Sequence, residues 1–373
     1  MRMVRSVLDD PGAIGRIDKS NMLSFCSEAA KHYENAAKLA EKLRISYRKP
    51  KKIVVAGMGG SGIGGELLKD WSKDTATVPI EVCKDYHLPA YVDEDTLVIT
   101  TSYSGETEET LSVFLETFRK KCMMIAISSG GTLQSFAEKL DVPFLQVPKG
   151  MAPRATLPYL FMPLTVILHE IGVAPSIRDD LSETVKVLKK VSGENSPEVS
   201  AGDNPSKTLA SGIFTTVPTI YGFEFYRAVA QRFKTQINEN SKNPAKWEYL
   251  PELDHNEVVG WEKAREFAKC FSVVFIRDKE ESAEIRKRIL VSREIIQKTL
   301  DKIFEVWAQG QSRLARMSSV ICVGDFTSVY LSLLRGVDPT PVVTIDFLKR
   351  RLSETGFREK TISELERLAK QSR

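Results

Sequence analysis

Two stretches carry residues of the right type and spacing to hold a phosphate. In "TTSYSGETEET", Ser102, Ser104, Thr107 and Thr110 fall in one loop and the first turn of the helix behind it. Hydroxyls beside the free N–H groups of a helix N-terminus make a neutral cradle for a phosphate ester. Upstream, "VVAGMGGSGIGGELLKD" reads as a buried strand, a glycine-dense turn bearing Gly60 and Ser61, and a helix start. Gly57, Gly59 and Gly62 keep the G-x-G-x-x-G spacing of a dinucleotide loop, and Asp85 after the next strand could meet a ribose. The hydroxyl cluster decides between the two, because a dinucleotide site has no need of it. Phosphate ester is the reading, and no cofactor is expected.

Four further side chains invite a chemical role, and spacing alone leaves each open. Glu239, in "TQINENSKNPAKWE", sits in a polar run that suggests a carboxylate at a helix start. It is either a capping glutamate or a base whose pKa modest burial would raise. Arg154, in "APRATLPY", follows the fifth strand, at the edge where open parallel sheets bind ligands, yet arginines there also cap loops. His255, in "LPELDHNEVVGW", is the one histidine in a polar, acidic setting, with Asp254 or Glu257 placed to orient it. Lys349, in "PTPVVTIDFLKRRL", stands on what reads as the last helix, where Val343, Ile345, Leu348 and Leu352 are expected to point inward. Such a lysine ordinarily snorkels to solvent.

The elements that must position these residues are legible as alternating strands and helices. From about Ile17 to Ile45 the pattern predicts one long amphipathic helix. "KIVVAG", "IEVCKD", "TLVITTS", "MMIAIS" and "PFLQVP" follow as strands with helices between, and "LPYLFMPLTVILHEIG" closes the series as a helix. That alternation means a mostly parallel sheet with helices on both faces. A charged helix, "DDLSETVKVLKKV", leads into "SGENSPEVSAGDNPS", which reads as a linker. The layout then restarts. "TIYGFEFYRAVAQRFK" stands where the glycine loop stood, and "FSVVFIRDKEESAEIRKRIL" parallels "TLVITTSYSGETEETLSVFL" without its hydroxyls. The expected organisation is a first α/β domain over 1–192, a linker over 193–207 and a second α/β domain over 208–373.

Bulk properties exclude several classes. A chain of 373 residues with 42% hydrophobic and 27% charged residues is an ordinary globular protein of two domains. The net charge of +4 has no basic cluster behind it, so nucleic acid is not an expected partner. No apolar run reads as reaching membrane length, and "MRMVRSVLDDPG" lacks a signal-type apolar stretch, so a cytoplasmic protein with no membrane partner is expected. Five scattered cysteines and four histidines show no ligand spacing, so no metal site is expected.

The residues Ser102 to Thr110 match the S-x-S-G-x-T-x-x-T loop of sugar isomerase domains, which bind phosphosugars. With "GMGGSGIGG", "PRATLPYLFMPL", "FKTQINENSKNPA" and "ELDHNE" in order, nearly the whole chain resembles the bifunctional phosphoglucose/phosphomannose isomerases. The resemblance implies two tandem sugar isomerase domains, a homodimer with a composite active site, and a place in carbohydrate metabolism. It implies exchange of glucose 6-phosphate and mannose 6-phosphate with fructose 6-phosphate. Aldose–ketose exchange through an enediolate needs a base, a cation for the oxyanion and an acid/base group to open the ring. The resemblance assigns these to Glu239, to Arg154 and to His255 from the neighbouring subunit, with Lys349 reaching the sugar. It places the phosphate at Gly60, Ser61, Ser102, Ser104 and Thr107. The alternative is a phosphosugar-sensing protein without catalysis, which would carry the same hydroxyl loop.

Overall fold

The computed structural model describes residues 7–371. Among the described residues the helices α1 (Pro11–Ile17), α2 (Met22–Ser27) and α3 (Ala29–Ala40) precede the first strand. Strand and helix then alternate, from β1 (Lys52–Ala56) to α4 (Gly59–Trp71), through β2 (Ile80–Cys83), and from β3 (Thr96–Thr101) to α5 (Glu108–Arg119). Next come β4 (Met123–Ser128), α6 (Gly131–Lys139), β5 (Phe144–Gln146) and α7 (Leu157–Glu170). Helices α8 (Arg178–Glu194) and α9 (Pro205–Ile213) lead to β6 (Val217–Phe223), α10 (Arg227–Ser241) and β7 (Lys246–Leu250). The chain continues with β8 (Phe271–Arg277), α11 (Ala283–Ile296), β9 (Ile303–Trp307) and α12 (Arg313–Leu334), and ends with α13 (Val343–Ser353) and α14 (Phe357–Gln371).

The strands form two separate sheets, as the alternation predicts. The first has the order β2-β1-β3-β4-β5 and the second β7-β6-β8-β9, and every pairing is parallel. All six residues of β3 are buried, as a strand covered on both faces must be. Val54 and Ala56 of β1 pack with Val98 and Val113, while Met124 and Ala126 of β4 pack with Leu111, Phe114, Leu133 and Phe136. In the first order the chain reverses direction between β1 and β3. Ligands bind at that switch point, at the carboxyl ends of the strands.

The compact units cut the chain differently from boundaries at 192 and 207. One unit holds the described residues through Lys31 together with Asp179–Pro341, and the other holds His32–Arg178 together with the chain from Val342 on. Residues near both ends of the described chain are tied to these units, one by burial and one by polar contacts. Leu365 of α14 is fully buried among Leu111, Phe114 and Phe136 of the first sheet's unit. At the other end, Asp9 accepts from the Ala201 N–H and from the buried Lys207 ammonium of the second sheet's unit.

Several local expectations are corrected. The long first helix is α2 and α3, broken where Glu28 leaves helical geometry (φ −92°, ψ 12°). Helix α2 begins only at Met22, where left-handed Asn21 precedes it and the Asp18 carboxylate accepts from the N–H groups of Met22 (2.7 Å) and Leu23 (2.9 Å). The stretch read as a linker is packed. Asn195 accepts from Ser206 N, Asn204 donates to Ser196 O, and Lys207 donates to the carbonyls of Pro197 and Val199. The 22 residues of α12 are long and apolar enough to cross a membrane, contrary to the sequence reading, but 89% of that window is buried within the protein as a core helix. Helix α13 is followed by α14 and has no buried residue, so Val343, Ile345, Leu348 and Leu352 do not point inward; they are 36–71% exposed.

Candidate active site

The phosphate-type residues come together in the unit of the first sheet. After β1 the backbone turns through Gly59 (φ +52°) into α4, so the glycine loop is the helix N-terminus itself. Gly60 is pressed against the short turn Pro153–Thr156. A Cβ there would meet Pro153 O at 3.2 Å and the Arg154 Cα at 3.4 Å. This contact sets Arg154, only 2% exposed, beside the loop. After β3, Thr107 stands at the residue before α5 without a capping bond, and its hydroxyl lies 2.9 Å from that of buried Ser102. Ser102 Oγ also accepts from Gly105 N (3.1 Å), and Ser104 Oγ, at the exposed tip, accepts from Glu106 N (3.2 Å). The acids at this helix start are engaged elsewhere. Glu106 accepts from Thr132 and Arg358, and Glu108 accepts from the Tyr86 hydroxyl, a bond that pushes the Tyr86 phenol upward in pKa.

Sequence reasoning missed two supports of this cradle. Tyr103 is buried within it. Its N–H donates to Ser61 Oγ, and its hydroxyl accepts from Met151 N at 2.9 Å, tying the loop to the chain that leads to Arg154. Beside it runs the loop after β4. There Ser129 N donates to Tyr103 O, Leu133 N donates to Gly105 O, and Thr132 bonds Glu106. The signal was present as "SGGT" after "MMIAIS", the same strand, glycine and helix order as the glycine loop. Gly105 (φ +71°) would drive a Cβ into the Gly130 carbonyl, so these loops fit only with glycine there.

Asp85, the residue that could meet a ribose, is exposed and accepts from the N–H of its neighbour Tyr86.

Glu239, expected at a helix start, stands in the last turn of α10 and is half-buried. Its neighbours are fixed, with Asn240 donating to Ser328 Oγ and Asn238 to Asn243 O, both at 2.8 Å. His255 ends a short turn (Glu252–His255) after β7 and is exposed. Asp254 and Glu257 do not contact it as expected. Asp254 accepts from Arg288 and Ser292, and Glu257 accepts from the buried Tyr221 hydroxyl, which also accepts from the Trp261 indole. Burial, and then the Glu257 charge, push the nearby Glu248 carboxyl up in pKa. Lys349 is exposed on α13.

The equivalent point of the second sheet is filled by charge. Asp278 accepts from Tyr226 (2.5 Å) and Arg316 (2.9 Å), and Arg277 pairs with Glu281 at 2.5 Å, all nearly buried. The restart thus keeps the scaffold, with a bonded charge cluster where the first sheet has its hydroxyls. No group of three or more metal-ligating side chains occurs among the described residues.

Residues 46–143 match the SIS domain model, and residues 202–352 match the bacterial phospho-glucose isomerase C-terminal SIS domain model. The chain is 41% identical to a bifunctional phosphoglucose/phosphomannose isomerase of Caldicellulosiruptor bescii, over 81% of this chain and 90% of that one. The chain belongs to this isomerase family. A relative of the same description in Aquifex aeolicus is 35% identical, over 82% of this chain and 91% of that one. Among solved structures, a hypothetical protein of Thermus thermophilus shares the fold, with a TM-score of 0.70 at 14% identity, covering 95% of this chain and 94% of that one. Two SIS domains on parallel sheets are therefore the architecture, and the chain is an enzyme of this family.

Proposed function

We propose that the protein interconverts glucose 6-phosphate and mannose 6-phosphate with fructose 6-phosphate. The observation that carries this is the hydroxyl cradle built at the switch point of the first sheet, in a chain of this family. Gly60, Ser61, Ser102, Ser104 and Thr107 hold the phosphate through hydroxyls and helix N–H groups. His255 passes the ring-oxygen proton and opens the sugar. Glu239 takes the proton from carbon 2 and returns it to carbon 1, while Arg154 holds the enediolate oxygen. Lys349 contacts the sugar hydroxyls. The two aldoses differ only at carbon 2, so both pass through one enediolate, and Glu239 serves both when rotation about the carbon 2–carbon 3 bond presents either face of carbon 2 to it.

The proposal includes a cytoplasmic homodimer in which His255 serves the partner's site. Its turn supports this: Val259 and Phe267 nearby are 57% and 59% exposed, a combination suited to an interface. Trp261, in the same stretch, is buried and adds nothing to that face. Coupled assays of both aldose phosphates test the activity. Turnover of both supports it, whereas binding without turnover leaves the sensing reading.

A further inference from the structure

We infer that Arg288 and Ser292 are positioning residues that fix His255 through Asp254; this rests on the ring-opening role proposed for His255. The turn Glu252–His255 is held at one point by Leu253, which is fully buried. Its next residue, Asp254, reaches α11 and accepts from Ser292 Oγ at 2.6 Å and Arg288 Nη1 at 2.9 Å. The donors are four residues apart and share one face of the helix. Ser292 is 2% exposed, and its hydroxyl turns outward to the carboxylate.

A cleft of about 290 Å³ lies between turn and helix, lined by Val258, Val291 and Ile295 together with Asp254, Lys287, Arg288 and Ser292. On the far side of His255, Glu257 is fixed to Tyr221 of β6. The histidine is therefore an exposed side chain on a backbone clamped at Leu253, Asp254 and Glu257. The carboxylates expected to orient its ring instead orient the peptide that carries it. Ring opening needs an acid/base nitrogen within hydrogen-bond reach of the ring oxygen, and a misplacement of about 1 Å slows such a step by up to about a hundredfold.

The test uses Ser292→Ala with Arg288→Met in the full-length chain, with and without His255→Ala. Loss of the clamp should lower kcat about tenfold in the wild-type background with KM little changed, and less than about twofold once His255 is absent. Arg288→Lys, which keeps a cation, should restore most of the rate. Asp254→Asn, which keeps the shape and the serine bond, should give a smaller loss and guards against misfolding of the double variant. Equal losses in both backgrounds would make the clamp merely structural and overturn the inference. No loss in the wild-type background would overturn it as well, while a slow His255→Ala enzyme keeps the ring-opening role standing. A His255→Ala enzyme at full rate would end both.

Discussion

Tyr103 donates its backbone N–H to the Ser61 hydroxyl at 3.1 Å, joining the loop after β3 to the helix after β1. That bond spans the switch point of the first sheet. It gives Ser61 a structural partner in addition to its proposed phosphate contact, and it makes the two loops one preorganised surface. Preorganisation matters because donors already held in place need no ordering when the ester arrives.

Removing the exposed part of this surface isolates binding from chemistry. Ser104→Ala with Thr107→Ala should raise KM about tenfold or more and change kcat little, since phosphate contacts are shared by ground and transition states. Steady-state kinetics on both aldose phosphates reads this out. An unchanged KM would remove the loop as the phosphate site.

Glu239→Gln should lower turnover by at least about a hundredfold while KM stays near wild type, because the amide keeps the shape and cannot take the proton. Exchange of the carbon-2 proton with solvent, followed by NMR, is the direct measurement. Exchange at the wild-type rate would require a different base.

The shared-site dimer is open to complementation. Glu239→Gln chains and His255→Ala chains, each with only residual activity, are co-refolded in equal amounts. Half the dimers are mixed, and each mixed dimer has one intact site if His255 crosses to the partner. About a quarter of wild-type activity should return. A mixture that stays inactive places both residues in one chain's site.

The C-terminal helix should matter to stability far beyond what a tail would. Leu365 is fully buried with Leu111, Phe114 and Phe136, so Leu365→Ala should destabilise its unit by about 2–4 kcal/mol. Urea unfolding measures this, and a change below about 0.5 kcal/mol would mean the helix is not packed there.

Thiol chemistry tests burial by pH. Burial pushes Cys122 up to about 11 and Cys322 up to about 12, while Cys270 is exposed. At pH 8 a thiol of pKa 11 is about one part in a thousand thiolate. Iodoacetamide should label Cys270 alone in the native protein and all five cysteines in denaturant. Because the folded values are raised, the unfolded chain ionises first. Stability from these thiols is complete below about pH 8.5 and declines as pH climbs towards the folded values. Rapid native labelling of Cys322 would contradict its burial.

Features that depend on neighbours along the chain were legible in the residues alone. Alternating apolar strands and helices specified two parallel sheets. The glycine and hydroxyl loops could be read because a strand end, a turn and a helix N-terminus are local features, and the family loop from Ser102 to Thr110 carried the phosphate reading. Features that depend on distant segments were settled only by the folded chain. Helix α14 is amphipathic on paper, and only the hydrophobic surface left open beside α5 and α6 determines where its Leu365 is buried. Asp254 and Glu257 sit next to His255 in sequence, yet Arg288, Ser292 and Tyr221 claim them first, because a half-buried carboxylate must find donors wherever the fold supplies them. Glu239 looked like a helix start because polar residues surround it. The Asn238–Asn243 bond closes the helix end locally, but the Asn240–Ser328 bond is formed only when α10 meets α12.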